Sequence, residues 1–357
     1  MTESNNANVP KTCPFKEPSR VFSYFEQQRS AKEISFSEAL GGYVVARYDD
    51  IVYALDHPEI FASKGVTVPD FPEVVKPIFS NRVPPGGTLL GLDNPDHDRL
   101  RASVNGFFVP RRLAVFQPLI RSLANDLIDQ FVMNGEMELK SVFALPLPLK
   151  TWIGRSLALF GGIAGGSLSV EQQVKDVLDF HDYVAEVIQE RKTDRRNDPI
   201  SHIWDQRDAH VVEMTDFEHL SMIPGLLLAG HETTTSVLSM GVSHLLHHNL
   251  WHTANENDQA RKETIEELLR YESAITGMLR IVKEQTKIGS KVLQPGDKVF
   301  LAFISGSRDS SVFECPAELH PKRSFPRQHL GFGRGIHACL GAPPARLLLK
   351  TEFEVLQ

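Results

Sequence analysis

Cysteine is scarce in this chain, and its few copies are isolated. The 357 residues include three cysteines, Cys13, Cys315 and Cys339, and none of them forms a Cys-x-x-Cys pair. So few separate cysteines exclude a disulfide framework. They suit a reducing compartment, where a single cysteine matters through its own chemistry.

The sequence shows no long apolar run, and its first residues lead us to expect no targeting leader. The first six residues are polar, with no basic stretch followed by an apolar one. The best apolar run, 226–229, is far too short to cross a bilayer. The net charge of -7 argues against nucleic acid as a partner, because a phosphate-binding surface needs positive charge. We therefore expect a soluble cytoplasmic protein with no membrane anchor and no nucleic-acid partner.

The composition is that of an ordinary globular protein, with 41% hydrophobic and 23% charged residues. Most of 97–275 has apolar residues at helical spacing, whereas 34–47 and 277–303 hold short strand-like runs between Pro and Gly. The pattern predicts a mainly α fold with a minor β part (α+β). We expect a flexible arm over 1–20 and a single domain over 21–357.

The most informative segment is Leu-Gly-Phe-Gly-Arg-Gly-Ile-His-Ala-Cys-Leu-Gly, residues 330–341. A helix is predicted just after it, with Pro343 and Pro344 in the first turn. A cysteine before a helix start has a lowered pKa and favours thiolate, the form that ligates iron. The glycines allow close approach to a flat ligand, and the Lys-Ser/Thr of a P-loop is absent. A buried core cysteine remains the alternative on spacing alone.

The spacing Phe-Gly-x-Gly-x-His-x-Cys-x-Gly over 332–341 resembles the haem-binding signature of the cytochrome P450 family, in its soluble bacterial form. The resemblance implies a cytochrome P450-like fold with haem b as cofactor. It also implies that the Cys339 thiolate is the axial ligand of the iron and favours O–O cleavage. The family's cofactor-binding positions in this segment fall on Phe332, Gly333, His337, Cys339 and Gly341.

A second segment, Ala-Gly-His-Glu-Thr-Thr-Thr at 229–235, lies in an apolar helical stretch. Gly and consecutive β-branched residues are poor helix formers, and Thr can bond back to a carbonyl and bend the helix. The segment resembles the family's oxygen-binding helix, in which an acid–alcohol pair delivers protons. That resemblance assigns the pair to Glu232 and Thr233 and places Ala229 and Gly230 at the cofactor. A zincin motif is excluded because position 235 is threonine.

Glu267 and Arg270 lie at i,i+3, a spacing that is common in surface salt bridges. The resemblance implies instead a buried pair, completed by Arg323 from a later loop. This network would support residues 330–341, called the cysteine segment below. The resemblance also implies cations for the haem propionates: His97, Arg101, Arg280 and His337.

The resemblance covers roughly residues 20–355 and departs from the family pattern in places. Few residues follow Cys339, so we expect the usual C-terminal strands to be missing from a truncated C-terminus. The stretch 147–170 looks shortened, 247–263 looks altered, and Pro224 is expected to kink the oxygen-binding helix. These departures keep open a haem-binding protein without turnover.

The resemblance implies a monomeric haem-thiolate monooxygenase that inserts one oxygen atom from O2 into an apolar small molecule. Ala229, Met278 and Leu279 would line the substrate pocket. Since no flavin- or iron–sulfur-binding segment is visible, a separate ferredoxin or flavoprotein reductase would supply electrons. A peroxide-driven haem-thiolate enzyme is a further alternative, against which the Glu232–Thr233 pair argues.

Overall fold

The structure is a computed structural model, in which the chain divides into two compact units. The sheet unit comprises Met1–Val66 and Glu266–Ala338, and the helical unit comprises Thr67–Ile265 and Cys339–Gln357. The described residues are 14–66, 89–134, 136, 139–144, 170–323 and 326–357. Most of the predicted arm and nearly all of the stretch 147–170 lie outside the described residues.

The sheet unit contains a five-stranded sheet in the order β1-β2-β7-β4-β3 and a separate hairpin, β5-β6. All neighbouring strands are antiparallel except β2 and β7, which run parallel. The strands are β1 Phe36–Ser37, β2 Gly42–Val45, β3 Phe61–Ala62, β4 Met278–Val282, β5 Thr286–Ile288, β6 Lys291–Leu293 and β7 Lys298–Leu301.

Helices account for most of the described chain outside these strands, so the predicted mainly α fold with a minor β part is confirmed. The α-helices of the described residues are α1 Val21–Ser30, α2 Tyr48–Asp56, α3 Asp96–Asn105, α4 Pro110–Leu113, α5 Gln117–Asp129, α6 Val170–Thr193, α7 Pro199–Asp208, α8 Asp216–His247, α9 Trp251–Ala254, α10 Asp258–Tyr271, α11 Phe303–Gly306 and α12 Ala342–Val355.

Each unit has its own buried apolar core. In the sheet unit, β2 and β7 pack against α2 through residues such as Val45, Leu301 and Ile51. Gly42 is required in β2 because a Cβ there would lie 2.7 Å from the carbonyl oxygen of Lys298. In the helical unit, the core joins α3, α6, α7 and α8; its buried members include Leu100, Val104, Phe180, Val184, Ile203 and Ile223.

Helix α8 is the longest helix described, with 32 residues. It begins with a capping box in which the Thr215 hydroxyl accepts the Glu218 N–H at 3.1 Å and the Glu218 carboxylate accepts the Thr215 N–H at 2.8 Å. The helix continues through Pro224. Within the described residues, none of the helices combines the length and apolar character needed to span a membrane.

Candidate functional site

A buried carboxylate, that of Glu267, anchors the loop that precedes the cysteine segment. Glu267 and Arg270, both 0% exposed, share one face of α10. Arg270 donates from Nε and Nη2 to the two Glu267 oxygens, each at 2.8 Å. Arg323 Nε lies 3.0 and 3.1 Å from the same oxygens, and the His320 N–H donates to Oε1 at 2.9 Å. The structure thus brings together the three residues that the resemblance groups, inside the sheet unit.

Arg270 uses all five of its N–H donors in this arrangement. The three donors that do not reach Glu267 go to backbone carbonyls: Ser307 at 3.0 Å, Pro316 at 2.9 Å and Glu318 at 2.9 Å. A buried guanidinium is stable only when it is paired and fully hydrogen-bonded, and this one is. The network therefore fixes two separate loop segments against α10.

The sheet-unit part of the cysteine segment is fixed by its glycine backbone angles, by close packing against α2 and by an ion pair of Arg334. Gly333 and Gly335 have φ angles of 63° and 70°, which favour glycine. A Cβ at Gly335 would lie 2.3 Å from the carbonyl oxygen of Leu55. Arg334 Nε binds the Asp56 carboxylate at 2.8 and 3.0 Å. This part of the segment therefore follows one path along the end of α2.

Three side chains that support the cysteine segment were not found from the sequence. Ser63, which is fully buried after β3, has its Oγ 3.0 Å from Nε2 of His337. His329 bonds to Glu266 and to the Gly331 backbone. A buried serine and a second glutamate on α10 carry no signal in composition or spacing, since both contacts join residues far apart in the chain.

Cys339 lies just before α12 in the helical unit, and Pro343 follows in the first turn, as predicted. The sulfur is flanked by the N–H groups of Gly341 and Ala342, which act on it as hydrogen-bond donors. Cys339 keeps one face exposed while protein atoms crowd its other sides.

The predicted lowering of the Cys339 pKa is wrong. Desolvation by surrounding protein atoms raises the pKa of this thiol, and it outweighs the Gly341 and Ala342 N–H groups and the charges of Arg101 and Arg346, which lower it. The helix start behind the prediction is present, and its N–H groups and the nearby cations lower the pKa. Desolvation, which cannot be read from the sequence, raises it by more. A coordinated metal would still remove the proton, because a coordinating thiol is deprotonated outright.

The threonines of the second segment bond back along α8, as the sequence predicts they can. Thr233 donates its hydroxyl to the Ala229 carbonyl at 2.7 Å, and Thr234 donates to the Gly230 carbonyl at 3.0 Å. Glu232 is partly buried. Burial also lowers the pKa of His231 next to it, and the Glu232 charge opposes that shift.

The four predicted propionate cations fall into two groups. His97 and Arg101 lie one turn apart on α3 in the helical unit, where His97 is buried with Nδ1 3.0 Å from Asp98 Oδ1. Burial lowers the pKa of Arg101, and Cys339 is the leading group that opposes this. Arg280, which is buried on β4, and His337 belong to the sheet unit.

The residues predicted to line the substrate pocket differ in their settings. Ala229 is exposed on α8. Met278 and Leu279 are neighbours on β4, so their side chains point to opposite faces of the sheet. They accordingly pack against different clusters, Met278 with Val45 and Leu301, and Leu279 with Val44 and Ala302.

Comparison with known proteins identifies the family. A family model described as Cytochrome P450 matches residues 261–354. Cyclomarin C epoxidase CymV of Salinispora arenicola is 31% identical over 336 residues, which cover 88% of this chain and 82% of that protein. The chain belongs to the cytochrome P450 family. Putative cytochrome P450 YjiB of Bacillus subtilis is 28% identical over 346 residues, covering 91% of this chain and 84% of that protein.

Solved cytochrome P450 structures share the fold. P450BioI, in complex with acyl carrier protein ligated to hexadec-9Z-enoic acid, has a TM-score of 0.83 at 27% identity, over 96% of this chain and 91% of that chain. The predicted cytochrome P450-like fold is therefore confirmed. The chain is a cytochrome P450 monooxygenase, an enzyme class that uses haem.

The residues of the helical unit fit the haem that a cytochrome P450 carries. The Cys339 sulfur has an exposed face, and two backbone N–H groups donate to it, the kind of hydrogen bond that tunes iron-bound thiolates. On α8, Ala229 and Gly230 are exposed, and a Cβ added at Gly230 would meet nothing within 4 Å. Small side chains on an open helix face leave room for a flat ligand.

Proposed function

We propose that this cytochrome P450 inserts one oxygen atom of O2 into an apolar small molecule, with Cys339 as the axial ligand of haem b. The observation that carries the proposal is the Cys339 sulfur, which has an exposed face and receives the Gly341 and Ala342 N–H groups. When bound, haem iron supplies the oxygen-activating chemistry. The chain's own part is to hold the thiolate, exclude water and move protons.

The other binding roles follow from side-chain chemistry. Cationic or hydrogen-bonding side chains pair with the haem propionates, and small or aromatic residues contact the ring. The proposed propionate partners are His97, Arg101, Arg280 and His337, and the proposed ring contacts are Ala229, Gly230, Phe332, Gly333 and Gly341.

An apolar substrate suits uncharged pocket side chains, here Ala229 together with one of Met278 and Leu279, whose side chains face opposite sides of the sheet. Among similar proteins, CymV is named as an epoxidase of cyclomarin C, and P450BioI was solved with an acyl chain on its carrier protein. Electrons would come from a separate ferredoxin or flavoprotein reductase. In the reaction two electrons and two protons reduce the second oxygen atom to water.

Cys339→Ala is expected to abolish the thiolate-type carbon monoxide spectrum of the reduced, hemin-reconstituted protein, because alanine offers no ligand atom. Cys315→Ala is the matched control, since Cys315 is the other free, exposed cysteine among the described residues. The control should keep the parent spectrum. An unchanged spectrum in Cys339→Ala, or a nitrogen-ligated iron in the parent, contradicts the proposal.

Thr233→Val is expected to divert electrons to released hydrogen peroxide, because valine keeps the side-chain shape but lacks the hydroxyl that handles protons. Peroxide release should rise about tenfold per NAD(P)H consumed, below the full effect that acid–base groups contribute. Thr234→Val removes an equivalent back-bond from the next residue and should stay near the parent. Equal coupling in both variants contradicts the role of Thr233, and turnover driven by peroxide alone in the parent favours the peroxide-driven alternative.

A further inference from the structure

We propose that His329 is a positioning residue for the iron ligand, acting through the hydrogen bond that its Nδ1 accepts from the Gly331 N–H. This proposal rests on the proposed role of Cys339. It adds a second anchor for the cysteine segment, separate from the Glu267 network.

The His329 ring is fixed at both of its nitrogens. His329 is 6% exposed, and its Nε2 lies 3.2 Å from Oε2 of Glu266, which is 4% exposed. The Gly331 N–H donates to Nδ1 at 3.0 Å. Since Nδ1 acts as an acceptor, the ring proton lies on Nε2 and is donated to the Glu266 carboxylate. The ring therefore links α10 to the start of the cysteine segment.

The backbone around Gly331 is held from other directions as well. The Leu330 N–H donates to the Ser307 hydroxyl at 3.0 Å, and the Ser273 hydroxyl donates to the Gly331 carbonyl at 3.4 Å. A Cβ at Gly331 would lie 2.8 Å from the carbonyl oxygen of Leu269. The Gly331 peptide is thus pressed against α10, and its N–H donates to a side-chain acceptor, Nδ1 of His329.

Two consecutive carboxylates of α10 hold the two ends of the segment 320–331. Glu267 accepts the His320 N–H and binds Arg323, while Glu266 binds His329. Neighbouring helix residues point about 100° apart, so a single turn of α10 can serve both ends. Glu267 fixes the start of the segment 320–331, and Glu266 fixes its end, where it leads into the cysteine segment.

A displacement at Gly331 would be passed on along the chain toward Cys339. His329 also contacts the Phe332 ring, with 5.8 Å between ring centroids. Beyond it, Gly333 and Gly335 have positive φ, and Gly335 lies directly against the Leu55 carbonyl. Loss of the Gly331 anchor would leave these downstream contacts to hold the chain that leads to Cys339.

Two substitutions at His329 distinguish the role of Nδ1 from that of Nε2. In His329→Asn, the side-chain oxygen falls near the position of Nδ1 and can still accept the Gly331 N–H. In His329→Gln, the amide nitrogen falls near Nε2 and still serves Glu266, but the Gly331 acceptor is lost. Because the Asn side chain no longer reaches Glu266, it is combined with Glu266→Gln, which removes the buried charge.

Haem release to an apo-globin acceptor and the carbon monoxide spectrum are measured on the reconstituted full chain. We expect His329→Gln to release haem at least about tenfold faster and to lose part of the thiolate-type spectrum, as loss of supporting hydrogen bonds does at other metal sites. His329→Asn with Glu266→Gln should stay within about threefold of the parent, because the Gly331 acceptor is kept. Ser37→Ala, which removes another buried hydrogen bond of the sheet unit, should leave haem release unchanged.

The Gly331 amide of the parent offers a test that needs no variant. We expect this amide to exchange slowly with solvent deuterium, and fast exchange overturns the proposal. Parent-like haem release in His329→Gln, or equal losses in both His329 variants, also overturns it. If the parent itself shows no thiolate-type spectrum, the proposed function fails instead, so the two failures are distinguishable.

Discussion

Glu267→Gln is expected to lower the free energy of unfolding by about 3–5 kcal/mol, the cost of breaking a buried ion pair by removing one partner. The variant should also fail to retain haem. The Glu267 oxygens accept from four N–H groups: two of Arg270, the Nε–H of Arg323, which is shared between both oxygens, and the His320 backbone N–H. An amide provides one acceptor oxygen, and its NH2 group would face a donor.

In Glu267→Gln the destabilisation would extend to the neighbouring loops, because water cannot reach the buried Arg270 guanidinium. Its side chain has no exposed surface, so its charge would stay buried without a compensating carboxylate. The three carbonyls that Arg270 holds belong to the loops around 307 and 316–318. A shift of the guanidinium would therefore release both loops at once.

Denaturant unfolding followed by far-UV circular dichroism measures this effect. Glu263→Gln is the control: Glu263 lies one turn earlier on α10 and accepts an exposed hydrogen bond from Gln259. We expect the control to change the free energy of unfolding by no more than about 0.5 kcal/mol. A loss of under about 1 kcal/mol in Glu267→Gln would contradict the structural role given to the network.

The sequence predicted this network only through resemblance. A Glu and an Arg at i,i+3 show that two side chains share a helix face, but spacing does not reveal whether that face is buried. Arg323 lies 56 positions from Glu267, and its participation depends on the intervening fold. In contrast, the start of α12 after Cys339 was predictable from local chemistry alone, because the prolines fix the first turn.

The pKa of Cys339 and the contacts of His329 could not be predicted from the local sequence, because both depend on residues far away in the chain. The helix start and nearby cations are visible in the sequence, whereas desolvation depends on how many distant atoms crowd the sulfur. His329 meets Glu266 across 63 positions of chain. Similarly, Met278 and Leu279 are apolar and adjacent, but only the strand assignment shows that they face opposite sides of the sheet.

Glu352 is expected to make the protein less stable as the pH rises. This residue lies on α12, and burial raises the pKa of its carboxyl from 4.5 to about 8. Its Oε2 is buried and makes no hydrogen bond among the described residues. The folded chain therefore holds a proton that the unfolded chain releases near pH 4.5.

Proton linkage determines whether the free energy of unfolding rises or falls with pH. A group whose pKa is higher in the folded state contributes its stability fully below the unfolded value and loses it as the pH rises through the folded value. For Glu352 the loss begins near pH 4.5 and is complete above about pH 8. We expect a loss on the order of 3 kcal/mol, less than the full shift would give because the side chain keeps some contact with solvent.

Glu352→Gln should remove this loss, because the amide stays neutral at every pH. The free energy of unfolding of the variant, measured relative to the parent, should therefore increase between about pH 5 and about pH 9. Glu354→Gln, on the same helix, is the opposite control: Glu354 pairs with Arg121, Arg261 and Lys350, so this variant should be less stable than the parent. A difference between parent and Glu352→Gln that does not vary with pH would mean that the carboxyl titrates as it does in the unfolded chain, and that burial on α12 does not hold its proton.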